Sequence, residues 1–557
     1  MPARRRRASV LILVLVVLCV CGALAFSFLS SQSTSAQLAD TLHRRAQARH
    51  VAESGLAFAI QYVSDDPDWR TDQRDGTWVS DVSLGDGMFT IVGEDGVDTD
   101  GDGVVEGDDS LDDNHADPLT LAVTATVAGV SHTARAVVRT SFGSESYLLY
   151  GLAKNDTPMY RKYSPDGWSD EDPGNDLGGE PRWIVAAHSP VRTETAVCVL
   201  DQGKDVNLQF LSSGSWSAVS ELTTNAQQDS ERPFDIAYER QSGNLLIAYA
   251  SEASQNLYWR EWNGVSLSDE NEYVLPTTDK LRFVRLVARP DSDEIMLLTL
   301  NDDKDVCAAI WNGNAWTNPV LLETKTKSAG DEGVHAAYES QSGRAVVAWA
   351  DDSLSTFQFR TWDGDSWSAE ADGPVLGSKD PRWIRLAADP LTDQVLLAAL
   401  DSNKDVYTVA WDGSSWGTPL LLEPATPDSN SREFDIAYLR GSSQAIVVWG
   451  RSGSSNFHYR LWDGSAWSTE QDGPGLTDKV KFIQLATGPG LGEVLLHTLN
   501  KSAKGELDSF RWTGSEWSHL GTVAEKVAGS NKQECFMAAV TNSLVYGAPE
   551  YEVTWRP

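Results

Sequence analysis

The chain has 557 residues, 41% of them apolar, too many for one ordinary compact core, so several domains or a repeat architecture are expected. Its formal net charge of −35 argues against nucleic acid as a partner, because phosphate binding needs basic patches. Surplus acid instead suits solubility outside a cell and, where carboxylates cluster, cation binding.

The N-terminus opens with a basic cluster, Arg4 to Arg7, ahead of the uncharged apolar run Val10 to Leu29. Twenty such residues are enough to cross a hydrocarbon core of about 30 Å as a helix. The alternative is a cleaved signal peptide, for which Ala23-Leu24-Ala25 offers a small-x-small site. Against it, the run exceeds the roughly 7–15 apolar residues of a signal core. The segment from Gln37 to Val63 also continues in helix formers, with no Pro and only one Gly. Leu38, Leu42, Ala46, Val51, Leu56, Ile60 and Val63 recur there at helical spacing. An amphipathic helix is therefore predicted to run on from the apolar one.

After Ser64 the pattern shortens to strands: Met88 to Val92, Leu119 to Val127, and Ser131 to Arg139. The last two alternate in polarity around Gly129 and predict a hairpin. Between the strands, Asp98-Thr99-Asp100-Gly101-Asp102-Gly103-Val104-Val105-Glu106 through Asp109 follows a calcium-loop pattern. Asp98, Asp100 and Asp102 stand at positions 1, 3 and 5, and Gly103 permits the sharp turn. Val104 supplies a carbonyl, Glu106 acts through water, and Asp109 closes the site at position 12. A hard cation wants six to eight oxygens, which only a tightly turned loop can aim inward. Asp rather than Glu at the last position weakens bidentate closure and makes room for Mg²⁺. Residues 94–117 carry eleven acidic side chains and no Lys or Arg, so without a cation the segment repels itself. Ca²⁺ is the expected cofactor, and a disordered acidic loop is the alternative.

Five cysteines add little: Cys19 and Cys21 lie in the apolar run, and Cys198, Cys307 and Cys535 lack metal-ligand spacing. Unpaired buried thiols are expected for these three, with a single disulfide as the alternative.

Arg7-Ala8-Ser9-Val10-Leu11-Ile12, the long apolar helix, and Ala52-Glu53-Ser54-Gly55-Leu56 with Ala59 resemble the N-termini of type IV pilin-like proteins. The PilX-like minor pilins and K-type minor pseudopilins are nearest, and the resemblance covers residues 1 to about 140. It implies a prepilin peptidase cut between Ala8 and Ser9, where Gly is the usual residue in place of Ala8. It further implies a helix that packs with other pilin-like subunits, first in the membrane and then in a filament. Most major pilins carry Glu at the fifth mature position; Leu13 stands there, as suits subunits at or near filament tips.

From Gly143 the chain is periodic. Trp259-Arg260-Glu261-Trp262-Asn263-Gly264, Phe359-Arg360-Thr361-Trp362-Asp363-Gly364 and Tyr459-Arg460-Leu461-Trp462-Asp463-Gly464 recur every 100 residues, with Tyr160-Arg161-Lys162-Tyr163 as an earlier copy. A second type alternates with it, at Trp311-Asn312-Gly313, Trp411-Asp412-Gly413 and Trp512-Thr513-Gly514. The unit is therefore about fifty residues long. In one copy it reads as four strands, starting at Arg382, Gln394, Asp405 and Thr418. Four short strands in that span, punctuated by Trp and Gly, predict a β-propeller blade; sandwiches would need about a hundred residues each. Seven units run from Arg182 to about Val523, and strands are left over at Tyr147–Trp168 and Glu534–Trp555. Joining these ends in one blade gives eight blades, which protects the open edges; seven blades is the alternative.

The Arg-bearing units also place Glu171, Glu270, Glu370 and Glu470 after their turns. Arg260 with Glu270, Arg360 with Glu370 and Arg460 with Glu470, each beside Trp, resemble the sugar-holding set of fucose-binding propeller lectins. The structural reading is a cross-strand ion pair over a Trp core, and it is preferred. The Trp-Asp-Gly turns resemble sialidase-type Asp boxes, which are structural, and Lys204-Asp205, Lys304-Asp305 and Lys404-Asp405 read as hairpin turns.

The fold expected is thus mainly β. It comprises a leader (1–8), a transmembrane and amphipathic pilin-like helix (9–63), a small antiparallel β-domain with a calcium loop (64–142) and a propeller (143–557). The function expected is a minor pilin-like subunit of a type IV pilus or type II secretion pseudopilus, at the filament tip. It would begin in a bacterial inner membrane and end on a filament or cell surface, where the propeller binds a surface glycan or protein. No nucleophile elbow, phosphate loop or metal-protease helix stands in the chain, so no enzyme is expected. A secreted or signal-anchored propeller enzyme, such as a glycoside-acting hydrolase, is the alternative.

Overall fold

Arg5–Asp65 form one helix, α1, with no Pro and only Gly22 and Gly55 to weaken it. The computed structural model describes residues 5–65, 69, 73–96, 105, 119–141 and 144–556, apart from 165–166, 213, 228–229, 278, 354, 429, 440–441, 488–491, 504, 528–535 and 543–549. The calcium-loop residues Asp98, Asp100, Asp102, Val104, Glu106 and Asp109 therefore lie outside the described residues. So do the side chains of Ala8 and Ser9.

The two halves of α1 differ. Where the apolar run is described, from Val14 to Leu24, its large side chains are exposed, Leu18 by 65%. Among the described residues, no helix is long and apolar enough to cross a membrane. The second half buries Ala52, Leu56, Ala59 and Val63 against Phe89, Ile91, Leu121 and Val123 of a sheet. Small residues let that sheet come close: a Cβ on Gly55 would meet Phe89 Cδ2 and Val123 Cγ1, both at 2.9 Å.

This first sheet runs Gly76–Leu84, Gly87–Asp95, Leu119–Val127, Val130–Ser141, and last Glu550–Arg556, from the other end of the chain. The hairpin predicted around Gly129 is present, with Ala128 and Gly129 both at positive φ (47° and 81°), which matches the twist of its strands. Thr124 and Thr133 bond across it at 2.8 Å. The terminal strand pairs with Val130–Ser141 from Glu550↔Ser141 to Arg556↔Arg135. The expected propeller span, 143–557, is thus corrected: residues 545–557 belong with residues 1–142, and Gly143–Leu544 make the second unit. The physical reason is an otherwise open edge on Val130–Ser141, which the terminal strand covers.

Among the described residues, the second unit contains eight antiparallel sheets in chain order. We number them I to VIII, beginning at Ser144, Pro181, Phe234, Leu281, Val334, Pro381, Phe434 and Val480. In the unit starting at Pro381 the four expected strands are Pro381–Ala388, Val395–Asp401, Val406–Trp411 and Leu420–Glu423. Sheet I joins the chain ends: Phe536–Asn542 pairs with Ser144–Tyr150, which continues to Met159–Ser164.

The first strands of sheets II to VIII touch in succession. Val480–Thr487 then touches Phe536–Asn542, which in turn touches Pro181–His188, so the circuit closes as a ring. Second strands such as Ala345–Ala350 and Ala445–Gly450 are buried throughout, because neighbouring sheets cover both their faces. That sandwiching explains why they read as unbroken apolar runs.

Tryptophan latches tie successive sheets together. Trp311 Nε1 of sheet IV donates to Glu239 of sheet III at 2.6 Å, and Trp411 Nε1 of sheet VI to Glu339 of sheet V at 2.7 Å. Trp362 Nε1 and Tyr338 Oη of sheet V both donate to Glu294 of sheet IV, at 3.0 and 2.8 Å. Gln394 takes that place for Trp462 and Tyr438, at 2.6 and 3.2 Å. The Trp-Asp-Gly turns are structural as well: Asp363 Oδ1 accepts from the backbone of Asp365 and Ser366 at 2.9 and 2.7 Å, and Gly364 sits at φ 96°. Lys204, Lys304 and Lys404 hold left-handed turn conformations (φ 68°, 72° and 73°), which accounts for the recurring Lys-Asp pair.

Candidate functional site: an arginine cavity at the ring centre

The first strands of sheets II to VIII line the centre of the ring, and in most of them a charged residue interrupts the apolar run. Arg285 and Arg385 occupy equivalent places in sheets IV and VI, where sheet VIII has Gln484 and sheet II has Val185. Just before the first strands of sheets III, V and VII stand Arg232, Glu332 and Arg432, followed by Asp235, His335 and Asp435. These residues line one cavity of about 210 Å³ (all but Glu332, which lies behind its arginines), walled also by Trp183, Leu386 and Ile436.

Glu332 is the hub. Its carboxylate receives Arg285 at 2.6 Å, Arg385 at 2.8 Å and Arg232 at 3.3 Å, and only 5% of its side chain is exposed. Burial alone would raise its pKa, but Arg285, Arg385 and Arg232 together outweigh burial and hold it well below the usual carboxylate range. Arg232 and Arg432 each also pair with an aspartate three residues on, Asp235 and Asp435, both at 3.0 Å. The same aspartates accept the backbone N–H of Leu286 and Leu485 from the next sheets, both at 2.9 Å. In sheet V the aspartate is replaced by His335, whose Nδ1 accepts from Leu386 N at 3.4 Å. Burial, reinforced by Arg285 and Arg385, depresses the His335 pKa strongly, so it stays neutral. Among the described residues the cluster joins four guanidiniums to three carboxylates.

The Arg–Glu pairs singled out in the sequence lie elsewhere in the odd-numbered sheets, the arginines on the third strands and the glutamates just before the fourth. Arg360 and Glu370 come within 3.6 Å, as a cross-strand pair would. Glu270 instead accepts the hydroxyl of Tyr249, and Glu470 accepts Arg451 at 2.7 Å. Arg460 donates to the carbonyl of Ser468 at 2.9 Å. These carboxylates are engaged within their own sheets. His458 Nδ1 lies 2.8 Å from Asp472 and 3.7 Å from Glu470, a grouping that could hold a metal ion, although Arg451 already neutralises Glu470. Cys198 and Cys307 are buried free thiols, and burial pushes both of their pKa values up.

No protein-family model matches the chain, and no curated protein matches it. Among solved structures, it is similar to the BP39L lectin of Burkholderia pseudomallei at 10% identity and a TM-score of 0.41, over 62% of this chain and all of that one. Apo AztD from Citrobacter koseri is similar at 10% identity and a TM-score of 0.42, over 71% of this chain and 98% of its own. The β-propeller domain of the Trilobed protease from Pyrococcus furiosus follows at 11% identity and a TM-score of 0.37, over 61% and 98%.

Proposed function

We propose that this chain is a surface-display subunit: an N-terminal helix that assembles with other pilin-like subunits, carrying an eight-bladed β-propeller that binds a ligand. The propeller reading rests on the chain's own sheet order, eight units of four or five strands whose innermost strands touch in a closed circuit. Sheet I, built from both chain ends, is then the closing blade. The assembly reading is carried by the division of α1 into two halves. One half is docked on a sheet through Ala52, Gly55, Leu56 and Ala59, while the other leaves Val14, Leu15, Val16, Val17 and Leu18 exposed on every side. An all-round apolar helix needs a membrane or neighbouring helices to cover it. The ring is too bulky for a packed filament shaft, so the proposed position is the tip. Processing between Ala8 and Ser9 and Ca²⁺ bound by the loop from Asp98 to Asp109 belong to this reading. A hard cation fits that loop, whose oxygen donors alternate around Gly103.

Immunogold labelling of filaments, with sequencing of the natural N-terminus, tests the reading. Tip labelling and a terminus at Ser9 are expected; labelling along shafts, or a terminus unchanged by loss of prepilin peptidase, overturns it. Chelation should lower the melting temperature of the intact chain, and Asp98→Ala should abolish that shift. A melt indifferent to both removes the calcium.

A further inference from the structure

Among the described residues, His458, Glu470 and Asp472 of sheet VII are the one group whose ligand atoms lie close enough together to share a metal ion, all within 4.8 Å of one another. The strand period brings them together. His458 on Asn456–Trp462 pairs directly with Asp472 on Gln471–Gly475, and Glu470, two residues before Asp472, shares its face. The other sheets show what has changed here. In sheets I and III, Tyr150 and Tyr249 donate their hydroxyls to Glu171 and Glu270, whereas Trp449 stands at that place in sheet VII. In sheet V, Gln358 donates its amide to Glu370 at 3.1 Å and to Asp372 at 3.4 Å. His458 occupies the position of Gln358.

Only 5% of the His458 side chain is exposed. Its Nδ1 lies 2.8 Å from Asp472 Oδ1 and 3.7 Å from Glu470 Oε1, yet neither ring nitrogen makes a directed hydrogen bond among the described residues. A buried polar group left in that state is costly, and a cation held between the three atoms would engage it. The spacing fits, because ligands about 2.0–2.2 Å from a tetrahedral metal stand about 3.3 Å from one another, between the two separations found here. Arg451 lies 2.7 Å from Glu470, but the same guanidinium gives its Nε to Glu423 at 2.5 Å, so its charge is divided. A carboxylate that accepts from an arginine keeps further lone pairs for a metal, and such outer partners orient metal ligands. No described Lys or Arg pairs with Asp472, and 69% of its side chain is exposed. One imidazole with two carboxylates suits a borderline cation, whereas Ca²⁺ wants six to eight oxygens. Three protein ligands and an exposed flank leave the fourth position to water. We propose that His458, Glu470 and Asp472 bind one Zn²⁺ in the outer part of sheet VII, with Arg451 orienting Glu470. This site is separate from the loop at Asp98 to Asp109 and independent of where on a filament the protein sits.

The test is calorimetric titration of the full chain in detergent with Zn²⁺, in excess Ca²⁺ so that the loop at Asp98 to Asp109 does not compete. One Zn²⁺ per chain and a higher Tm with Zn²⁺ than without are expected. His458→Gln, which gives sheet VII the side chain that sheet V carries, should weaken Zn²⁺ at least tenfold. Asp472→Asn, at an exposed position, should do the same. Melting curves without Zn²⁺ show whether both variants are folded, and the exposed Asp472 keeps the test decisive if the buried His458 proves indispensable to folding. No binding of Zn²⁺ overturns the site. Binding that a folded variant leaves unchanged overturns the ligand set, and binding seen only without Ca²⁺ overturns the choice of cation. None of these outcomes bears on tip labelling or on a terminus at Ser9, so failure here and failure of the display reading are distinguishable.

Discussion

Replacing Glu332 by Gln should destabilise the ring more than any other single charge removal at its centre. The carboxylate collects Arg285, Arg385 and Arg232 at 2.6, 2.8 and 3.3 Å and is almost wholly buried. Gln keeps the shape and one acceptor oxygen, so the loss is chiefly the negative charge. Breaking a buried pair by removing one partner costs about 3–5 kcal/mol, because the remaining charge stays buried without compensation. Here the charge is removed from beside three arginines, of which Arg232 keeps Asp235. The ring of about 400 residues carries roughly 2.1 cal/mol/K of unfolding entropy per residue near 60 °C, so this loss corresponds to a fall of about 4–6 °C in Tm. Acid gives a second handle. The folded-state pKa of Glu332 lies below the ordinary value of about 4.3. Its stabilisation is therefore fully present above about pH 4.3 and is lost as pH falls toward the folded pKa. The Tm gap between wild type and Glu332→Gln should accordingly be largest at neutral pH and should shrink below about pH 4.3. Melting curves from pH 3 to 7 read both effects. A variant as stable as wild type at pH 7, or a gap that does not depend on pH, would refute the reasoning.

Three further outcomes are expected from thermal melts. Gly55→Ala, which normally gains about 1 kcal/mol inside a helix, should here lose about 1–3 kcal/mol, since the new Cβ meets Phe89 and Val123 at 2.9 Å. Trp311→Phe and Trp411→Phe should each cost about 1–3 kcal/mol by leaving a buried carboxylate short of a donor, whereas Trp512→Phe should cost less, because Leu439 stands where Glu239 and Glu339 accept the other two. Burial pushes Asp401 up to about 6, so its ionisation works against folding as pH rises through that range. Asp401→Asn should therefore melt higher than wild type at pH 8 and match it below about pH 4. Asn301, its counterpart in sheet IV, already accepts the same turn N–H, from Asp305 at 2.8 Å.

What the sequence made legible was local. Asx turns, paired Trp and unbroken apolar second strands repeat every fifty residues, and each is specified by a few neighbouring side chains, so the four-stranded unit could be read directly. The hairpin at Gly129 and the helical stripe ending at Val63 were legible for the same reason. The strand Gly76–Leu84 was not: six consecutive residues at its end are exposed, so it lacks the alternation that marks a strand. Nor was the destination of Glu550–Arg556, which pairs with a strand more than 400 residues away. The partners of Glu270 and Glu470 were also hidden, because Tyr249 and Arg451 lie on or just after a neighbouring strand whose register the sequence does not give. Among the described residues the central cavity draws on seven sheets, so no window of sequence contains it. Its one local trace is arginine within otherwise apolar first strands, at Arg285 and Arg385, and that trace becomes informative only once the strands are known to face a common centre.

The repeat also shows where to look for function. Residues that keep their identity at intervals of fifty or a hundred are those that close turns or latch sheets, and their bonds are satisfied inside the fold. The cavities sit where that rule is broken. At the centre, Glu332 replaces arginine and His335 replaces aspartate, so that Arg232, Arg285 and Arg385 converge on one carboxylate where sheets III and VII keep separate Arg–Asp clamps. At the periphery, Leu439 replaces the latching glutamate, and beside it a second cavity of about 300 Å³ opens between sheets VII and VIII, lined by Trp462, Trp467 and Trp512. Restoring the rule is therefore a sharper probe than deletion. His335→Asp puts in place of a buried neutral ring near Arg285 and Arg385 the carboxylate that sheets III and VII carry, and should melt at or above wild type at pH 7. A variant that melts lower would show that the neutral imidazole is what the centre requires at that position.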